Sequence, residues 1–348
     1  MAKRQKMSVL TLEEMPDEVI LRVFRYIDLK DVIRCGQLSK RIRQISHDDT
    51  LWLTANLKKK IVKTELLEMI LSKGCKILNL SYSTIVGHLR RNMISQLRDL
   101  DLSQSAWGFP ARRWLLQVYY EENVSEIEEL LSSCYSLQKL KMEGLRITSK
   151  MAVCISLNGT TLQVLNLNHS FVDDIPSGRL NHFVPNGDFR SIIKCCQELK
   201  ELDLNYTKTI DTDDDIEGLS DYDLQVLAKH ISPKVEKLNL IYQDFEDEHV
   251  KIMLNRCNKI KLLTLDTKFI TDDSLETIRQ CLNLTLEELT LANYGSFHFC
   301  LHKLKSMSRL KILNLHNKTE DKKVQNLRQQ LPHLMIRTFS DPSHSSFK

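Results

Sequence analysis

Nine cysteines are the residues of this sequence best suited to nucleophilic attack or metal binding. Both chemistries use the thiolate, and zinc sites commonly draw their ligands from Cys-x-x-Cys pairs. No such pair occurs in the 348 residues. Cys134, Cys196 and Cys257 each stand three residues before the first apolar position of a predicted strand, where the preceding helix must turn toward the core. We therefore interpret these cysteines as reduced core residues.

A histidine pair near the carboxyl end is a second candidate for metal binding. His298 and His302 are four residues apart with Cys300 between them, so they share one face if the segment is helical. Such a pair is able to hold a metal ion. We favour a solvated surface pair, and we predict no bound metal and no cofactor.

An acidic run offers a third candidate. Asp211, Asp213 and Asp215 alternate as the ligands of a calcium-binding loop do. However, Ile216 occupies the position that needs glycine for the sharp turn, and Tyr222 stands where a bidentate glutamate is required. We interpret the run as an exposed acidic loop, and contact with a basic partner is the alternative.

Motifs of the common enzyme classes are missing from the sequence. No P-loop G-x-x-x-x-G-K-[ST], dinucleotide-binding G-x-G-x-x-G, zinc-protease H-E-x-x-H or hydrolase G-x-S-x-G string occurs. No RING-type spacing of cysteine and histidine is present either. We therefore predict that the chain has no catalytic residues and is not an enzyme.

Charge and hydropathy argue against two classes of partner. The 49 basic and 45 acidic residues are interspersed, which does not favour nucleic-acid binding. No window approaches the roughly 18 consecutive apolar residues of a spanning helix. The start, MAKRQKMSVL, contains no apolar run long enough for a secretory signal. We predict that the chain binds neither nucleic acid nor membrane.

One phrase of leucines recurs through most of the chain and dictates its architecture. It reads Leu-x-x-Leu-x-Leu, as in LRDLDL, LQVLNL and LKELDL. Because side chains alternate along a strand, the last two leucines point to one side and the residue between them points to the other. Six of the nine spacings between phrases fall within the roughly 20 to 29 residues of leucine-rich repeats. The second leucines of the ten phrases are Leu78, Leu100, Leu140, Leu165, Leu202, Leu238, Leu263, Leu289, Leu313 and Leu334.

Amphipathic helices are predicted between the strands. SEIEELLSSC, DYDLQVLAKHIS and TDDSLETIRQCL place apolar residues three and four apart, and Ser220 precedes Asp223 at the spacing of a helix cap. One strand–helix unit cannot bury its own apolar face, so neighbouring units must stack. We predict an α/β fold, in which a short all-α segment is followed by a curved leucine-rich-repeat solenoid with parallel strands inside and helices outside.

The first sixty residues contain no leucine phrase and follow a different pattern. A predicted helix that begins at Pro16 carries a wide apolar stripe. Its members are Val19, Ile20, Val23, Phe24 and Ile27. A unit of about forty residues is at or below the size that folds well alone. We therefore expect this segment to require a partner surface.

The segment resembles an F-box. The F-box consensus runs Leu-Pro-x-Glu, then a hydrophobic helix ending in an Ile/Val-Phe pair, a Leu-x-x-Leu turn and a closing Leu-Trp. The matching residues are Pro16, Glu18, Ile20, Val23, Phe24, Leu29, Leu51 and Trp52. Met15 replaces the usual leucine and Ile42 stands where many members carry tryptophan, and both keep an apolar side chain.

An F-box followed by leucine-rich repeats resembles the F-box/leucine-rich-repeat family, and phrases such as SLQKLKMEGLRIT are most similar to S-phase kinase-associated F-box proteins. The resemblance implies a substrate-recognition adaptor of a Skp–cullin–F-box ubiquitin ligase, located in cytoplasm and nucleus. Its F-box would bind the linker subunit, and through it the cullin, the RING protein and the ubiquitin-conjugating enzyme. The repeats would present a protein substrate for ubiquitination and proteasomal degradation. A non-catalytic interaction scaffold outside any ligase is the alternative.

These assignments divide the chain into five segments. They are a basic tail (1–10), the F-box (11–57), a connecting helical segment (58–72), about ten leucine-rich repeats (73–338) and a short tail (339–348). S-phase kinase-associated members have a long carboxy-terminal tail that helps to bind a cyclin-dependent-kinase subunit. We do not expect that partner to carry over, because the tail here is short.

Two sets of residues are predicted to bind partners. The linker subunit would contact Met15, Pro16, Val19, Ile20, Val23, Phe24, Ile27, Leu29, Val32, Leu51 and Trp52. The substrate would contact the concave face at Tyr82, Asn166, His169, Glu201, Asp203, Asn205, Tyr206, Asn239 and Tyr242. The four aromatic residues of this set stand two positions beyond the last leucine of their repeats. They either form a binding ladder along the rim or pack in the turns after the strands.

Residues 103–124 form the longest insertion between repeats. Its aromatic residues are Trp107, Phe109, Trp114, Tyr119 and Tyr120. So much aromatic surface requires a cover. We favour packing over the repeats, and docking of a partner is the alternative.

Overall fold

The computed structural model of this protein joins a small helical unit to a long repetitive sheet. The structure describes residues 12–90, 93–107, 124–173, 189–210, 218–266, 268–292, 301–316 and 322–339. Within these ranges, no helix is both long enough and apolar enough to cross a membrane.

Three short helices form the amino-terminal unit. They are α1 (Asp17–Phe24), α2 (Leu29–Cys35) and α3 (Lys40–Ser46). Asp17 and Glu18 place negative charge in the first turn of α1, where the helix dipole favours it. The Ser39 hydroxyl caps α3 by accepting a hydrogen bond from the Ile42 N–H at 3.2 Å. The small core between the helices consists of Ile20, Phe24, Val32, Ile42 and Ile45.

Seventeen strands follow in the described ranges. They are β1 (Thr54–Asn56), β2 (Ile61–Lys63), β3 (Ile77–Asn79), β4 (Thr84–Val86), β5 (Asp99–Asp101), β6 (Ala106–Trp107), β7 (Lys139–Lys141), β8 (Arg146–Ile147), β9 (Val164–Asn166), β10 (Phe171–Asp173), β11 (Glu201–Asp203), β12 (Lys208–Ile210), β13 (Lys237–Leu240), β14 (Leu262–Asp266), β15 (Glu288–Ala292), β16 (Ile312–His316) and β17 (Met335–Phe339). Eleven of them form one parallel sheet in the order β1-β3-β5-β7-β9-β11-β13-β14-β15-β16-β17. Two smaller parallel sheets have the orders β2-β4-β6 and β12-β10-β8.

Helices connect the strands, because parallel strands need a crossover to bring the chain back. They are α4 (Thr64–Ser72), α5 (Val124–Ser132), α6 (Ser149–Leu157), α7 (Phe189–Cys195), α8 (Asp221–His230), α9 (Asp247–Arg256), α10 (Asp272–Leu282) and α11 (Lys322–Gln330). The predicted cap of α8 is present, since the Asp223 N–H donates to the Ser220 hydroxyl at 3.2 Å. The predicted α/β solenoid behind a short helical unit is confirmed.

The leucines of the repeated phrase pair in register across the large sheet. Leu78 lies opposite Leu100, and Leu202 lies opposite Leu238, and all four are buried. Stacking of the repeats therefore gives one continuous apolar core.

The predicted register is wrong in the last repeat. Leu313 lies opposite Ile336 rather than Leu334. The Leu331 N–H bonds to the Leu327 carbonyl in the last turn of α11, and the Leu334 N–H bonds to the Leu331 carbonyl. Leu331 thus ends the helix, and Leu334 lies in the turn that follows. The strand therefore begins two residues later than the phrase suggests.

The sheet begins before the first leucine phrase. In β1, Ala55 lies opposite Leu78 of β3, and the buried Leu57 follows it. Alanine in place of the second leucine of the phrase hid this strand from the sequence pattern. Strand β1 therefore lies inside the segment predicted as F-box (11–57), and the predicted connecting helical segment (58–72) contains β2 as well as α4.

Trp52 joins the helical unit to the solenoid. Its side chain is buried in the solenoid core, and its indole N–H donates to the Ser46 carbonyl at the end of α3, at 3.1 Å. Leu51 packs against both cores. Lys60 and Asp28 add an exposed ion pair of 3.2 Å between the two units.

Trp107, the first aromatic residue of the predicted insertion, is buried at the end of β6. Its indole N–H donates to the Gly87 carbonyl at 3.0 Å. This residue thus covers the solenoid, as predicted. Phe109, Trp114, Tyr119 and Tyr120 lie outside the described residues.

Candidate functional site

The outer face of α1 and the turn that follows it form an exposed apolar surface. Val19 and Val23 are four residues apart on the helix and are 44% and 42% exposed. Ile27 follows after four more residues at 37%, and Tyr26 beside it is 82% exposed. We call Val19, Val23, Tyr26 and Ile27 the helical patch. Its side chains are available for contact with another protein.

The other side of α1 faces the unit's own core. Of the residues predicted to contact a linker subunit, Ile20, Phe24, Val32 and Trp52 are buried inside the chain. They support the fold and offer no contact surface in this structure. Pro16 is exposed, and Met15, Leu29 and Leu51 are half-buried.

Polar residues between the leucines build a turn at the end of several strands of the large sheet. Asn79, Asn166 and Asp203 each accept a hydrogen bond from the backbone N–H two residues later, at 2.9, 2.8 and 3.0 Å. Asp101 and Asn239 make the same bond at 3.0 and 3.4 Å. The three predicted substrate residues in this set, Asn166, Asp203 and Asn239, therefore also shape the backbone.

A row of residues with left-handed backbone follows these turns. We call it the left-handed ladder, and its members are Lys59, Tyr82, Gln104, Gly144, His169, Tyr206 and Tyr242. Their φ angles lie between 53° and 71°. The N–H of His169 donates to the Asn205 carbonyl of the next repeat at 2.8 Å, and Tyr206 donates to Ile241 at 3.2 Å. The ladder thus ties neighbouring repeats together at the rim of the large sheet.

Three aromatic rings of the ladder form a stack. The ring centroids of His169 and Tyr206 are 4.4 Å apart, and those of Tyr206 and Tyr242 are 3.6 Å apart. His169 is exposed, and the two tyrosines are half-buried. Tyr82 is separated from this stack by Gln104 and Gly144, and the ammonium of Lys58 lies 5.6 Å from its ring. The structure therefore brings together three of the four predicted aromatic residues.

Carboxylates lie beside the stack on the concave side. Asp203 is 6% exposed, and burial raises its pKa to about 6 although the Asn205 N–H opposes the shift. Burial also raises the pKa of the half-buried Glu143, a shift that His169 opposes and Asp101 reinforces. Glu201, which was predicted to face the substrate, is paired with Lys237 at 2.8 Å.

A groove of about 290 Å³ continues along the concave face toward the amino-terminal repeats. Its lining residues are Ile77, Leu78, Asn79, Asp99, Asp101, Lys139, Lys141, Val164 and Glu201. Burial raises the pKa of Asp99, and Lys139 and Lys141 oppose that shift. The groove therefore offers charged groups of both signs next to apolar ones.

Several residues of the concave face escaped the sequence analysis. Glu143 follows Met142 in a repeat that reads Leu-Lys-Met-Glu-Gly, which hides its position. Asp99 belongs to the same outward row as Glu201 and was identifiable from register alone. Asn205 was predicted as a contact residue, but it is buried, and its Oδ1 has no hydrogen-bond partner. The Oδ1 of Asn168, in the adjacent repeat, also has no hydrogen-bond partner.

The buried cysteines are poor nucleophiles. Burial raises the pKa of Cys75 and Cys154 to about 11 and that of Cys196 and Cys257 to about 12. A raised pKa keeps a thiol protonated at neutral pH. Among the described residues no cluster of histidine, cysteine and carboxylate side chains is suited to holding a metal ion. His298, Cys300 and the run from Asp211 to Asp215 lie outside them.

Comparisons with known proteins agree with the helical unit. The F-box-like family model matches residues 12–58. F-box only protein 3 of Rattus norvegicus and of Mus musculus is 39% identical to this chain over 44 residues. This stretch is 13% of this chain and 9% of the length of those relatives.

A solved structure resembles the chain over most of its length. It is a chain of the crystal structure of the Rad7 and Elc1 complex in yeast, with 14% identity and a TM-score of 0.41. The match covers 95% of this chain and 91% of that one. A TM-score of 0.41 does not establish the fold, which follows from the strands and helices described above. Residues 12–58 are therefore an F-box-like domain, and it is followed by a leucine-rich-repeat solenoid.

Proposed function

We propose that this protein is the substrate-recognition adaptor of a Skp–cullin–F-box ubiquitin ligase. The F-box-like domain binds the linker subunit, which brings the cullin, the RING protein and the ubiquitin-conjugating enzyme. The concave face of the solenoid binds a protein substrate for ubiquitination and proteasomal degradation, in the cytoplasm and nucleus. The single observation that carries this proposal is the helical patch, exposed on a domain that matches the F-box-like family.

The patch supports the proposal because its exposure is unfavourable in the isolated chain. Burying a valine or isoleucine side chain stabilises a contact by roughly 1.5 to 3 kcal/mol. Val19, Val23 and Ile27 remain outside although Ile20 and Phe24, on the same helix, are buried. A partner groove that receives these side chains removes the exposed apolar surface.

Burial of four cysteine thiols agrees with a role in positioning without catalysis, although Cys195 is exposed. Ligases that carry ubiquitin themselves use a reactive cysteine thiolate. Cys75, Cys154, Cys196 and Cys257 are buried with raised pKa values, the opposite of what such a nucleophile needs. In this proposal, the partner proteins of the ligase transfer ubiquitin, and this chain does not.

The decisive experiment is Val23→Glu with a purified linker subunit. A glutamate at this exposed site leaves the helix folded and places a charge in the apolar contact. We expect the affinity to fall at least about thirtyfold, which corresponds to roughly 2 kcal/mol for an interface hot spot. Binding of the full chain to surface-immobilised linker subunit gives the dissociation constant directly.

Leu284→Glu is the matched control. Leu284 is 74% exposed and lies in the solenoid, far along the chain from α1. The same change of polarity at this position is expected to leave linker binding unchanged. If Val23→Glu binds as tightly as the native chain, the helical patch does not hold the linker, and an interaction scaffold outside the ligase becomes the better interpretation.

A further inference from the structure

Two repeats use a carboxylate where their neighbours use an amide. Asn79, Asn166 and Asn239 form the strand-end turn through a side-chain oxygen, and Asp101 and Asp203 form the same turn. Asparagine is therefore sufficient for the geometry. Burying a charge at Asp203 is unfavourable without a partner cation. The carboxylate at this position needs an explanation other than the turn.

Further carboxylates face the same region. Asp101 lies close enough to raise the pKa of Glu143, and Glu143 in turn raises that of Asp203. Glu143 thus repels both Asp101 and Asp203, and His169 and Lys141 oppose the upward shift of the Glu143 pKa. We call Asp101, Glu143 and Asp203 the acidic triplet. A cation bound among them relieves this repulsion.

Two unpartnered acceptors accompany the acidic triplet. Asn205 follows Asp203 by two residues in the strand-end turn, and its N–H donates to the Asp203 carboxylate at 3.0 Å. Its Oδ1 has no donor, and neither has the Oδ1 of Asn168 in the repeat before it. Both side chains are at least nine-tenths buried. Such atoms are rare in folded proteins, since buried polar groups are nearly always paired. The Nδ2 of Asn239, which lies opposite Asp203 on the neighbouring strand, is also buried without a hydrogen-bond partner, so two acceptors and one donor are unsatisfied in this region.

The aromatic stack supplies a flat surface beside these acceptors. His169 and Tyr206 adopt left-handed backbone, which costs a residue with a side chain roughly 1 to 2 kcal/mol. Gly144 occupies the same ladder position in the preceding repeat, so glycine is compatible with the turn. Rings are nevertheless placed here, stacked at interplanar angles of 11° and 26°, and a planar cation is able to lie against the exposed ring of His169 at the end of the stack.

We infer that the aromatic stack and the acidic triplet together bind an arginine side chain of the protein held on the concave face. A guanidinium group is planar, carries five donors and no acceptor, and stacks on aromatic rings. It therefore matches a site that offers rings, carboxylates and amide oxygens. Lysine has a compact, strongly hydrated charge and fits the flat surface less well. That the arginine belongs to a ligase substrate rests on the function proposed above.

The test uses the full chain with its tyrosine rings labelled with carbon-13, titrated with the peptide acetyl-Gly-Arg-Gly-amide. We expect saturable shifts of the Tyr206 and Tyr242 ring resonances, assigned by single changes to phenylalanine. The matching lysine peptide is expected to bind at least threefold more weakly. The citrulline peptide, which has nearly the same shape without the charge, is expected to give no saturable shift.

Glu143→Gln removes a carboxylate and keeps the side-chain length. We expect it to weaken the arginine peptide about tenfold, and Asp203→Asn, which preserves the turn, to weaken it in the same direction. Glu236→Gln is the control, because Glu236 is an exposed acid paired with Lys261 away from the stack. Equal binding of arginine and lysine peptides, or native affinity in Glu143→Gln, overturns the inference.

Arginine capture and linker binding are independent measurements. A chain that binds the arginine peptide but not the linker subunit contradicts the ligase proposal and leaves this site intact. A chain that binds the linker but does not distinguish arginine from lysine contradicts the site and leaves the ligase proposal intact.

Discussion

The fold disfavours the negative charge of Asp203. Burial raises its pKa to about 6 from an ordinary value of 3.8. The folded chain therefore holds this proton more tightly than the unfolded chain does. Stability then falls as the pH rises from about 4 to about 6 and levels off above that range, where the carboxylate is ionised in both states.

Replacing Asp203 with asparagine should stabilise the protein at neutral pH. The amide makes the same turn and carries no charge, so the whole penalty is removed. The variant is expected to exceed the native chain in free energy of unfolding by at most about 3 kcal/mol at pH 7.5. The difference should shrink to about 1 kcal/mol at pH 4.5. Urea unfolding at the two pH values measures both.

Asp101→Asn is the matched control for this prediction. Asp101 makes the same turn from a half-buried position, and its replacement is expected to change stability by less than about 1 kcal/mol. A pH-independent effect of Asp203→Asn would show that burial of the charge is not its cause.

Among the connecting elements, the end of α6 is tied to its neighbours through one buried side chain. Asn158 is buried, and its Oδ1 accepts from the Leu137 N–H at 2.9 Å. Its Nδ2 donates to the carbonyls of Cys134 and Cys154, both at 2.9 Å. One side chain therefore connects α6 to the loop that leads into β7.

Asn158→Ala should destabilise the solenoid by about 3 kcal/mol, because it leaves one buried N–H and two buried carbonyls without this partner. Ser156→Ala serves as control. It removes only a bond from the Ser156 hydroxyl to the Ala152 carbonyl within the same helix, and a loss under about 1 kcal/mol is expected. Thermal unfolding of both variants compares them, and equal losses would contradict the linking role of Asn158.

Periodicity carried most of the fold prediction, and its failures have local causes. Strands and helices followed from the spacing of apolar residues, which is the property that stacking repeats require. Spacing does not distinguish a leucine in a strand from one in the turn after a helix. Leu334 was therefore predicted at the inward strand position that Ile336 occupies. It also overlooks a strand whose inward position is the small Ala55.

The candidate sites were predictable only in part. The positions of His169, Tyr206 and Tyr242 two residues beyond a leucine predicted equivalent places in successive repeats, and a ring ladder was one of two alternatives; the structure shows the rings stacked. The apolar stripe of α1 was visible, but a stripe so wide does not show which half faces its own core. Phe24 was therefore predicted as a contact residue although it is buried. Predicting that Glu143 lies near the stack required knowledge of which strands are neighbours.

At the scale of the whole molecule, Trp52 connects the two units, and we expect them to unfold together. Its ring belongs to the solenoid core, and its N–H bonds to the last turn of α3. Trp52→Ala is expected to lower the free energy of unfolding by about 3 to 5 kcal/mol. Hydrogen exchange should show faster opening of both α3 and β1, which a purely local role would not produce.

Lys60→Ala is the contrasting variant, because Lys60 spans the same junction through an exposed ion pair with Asp28. Exposed pairs contribute little, so a change below about 1 kcal/mol is expected. If Trp52→Ala accelerates exchange in α3 alone, the solenoid does not depend on the helical unit.

The left-handed ladder also makes the protein a practical starting point for engineering recognition. Each described ladder residue takes part in the interlocking of repeats through its main chain, so exchanging its side chain leaves those bonds in place. Lysine, tyrosine, glutamine, glycine and histidine already occupy these positions in one chain. A combinatorial library randomised at the seven sites would therefore vary the rim of the solenoid one repeat at a time, on a scaffold that stays constant.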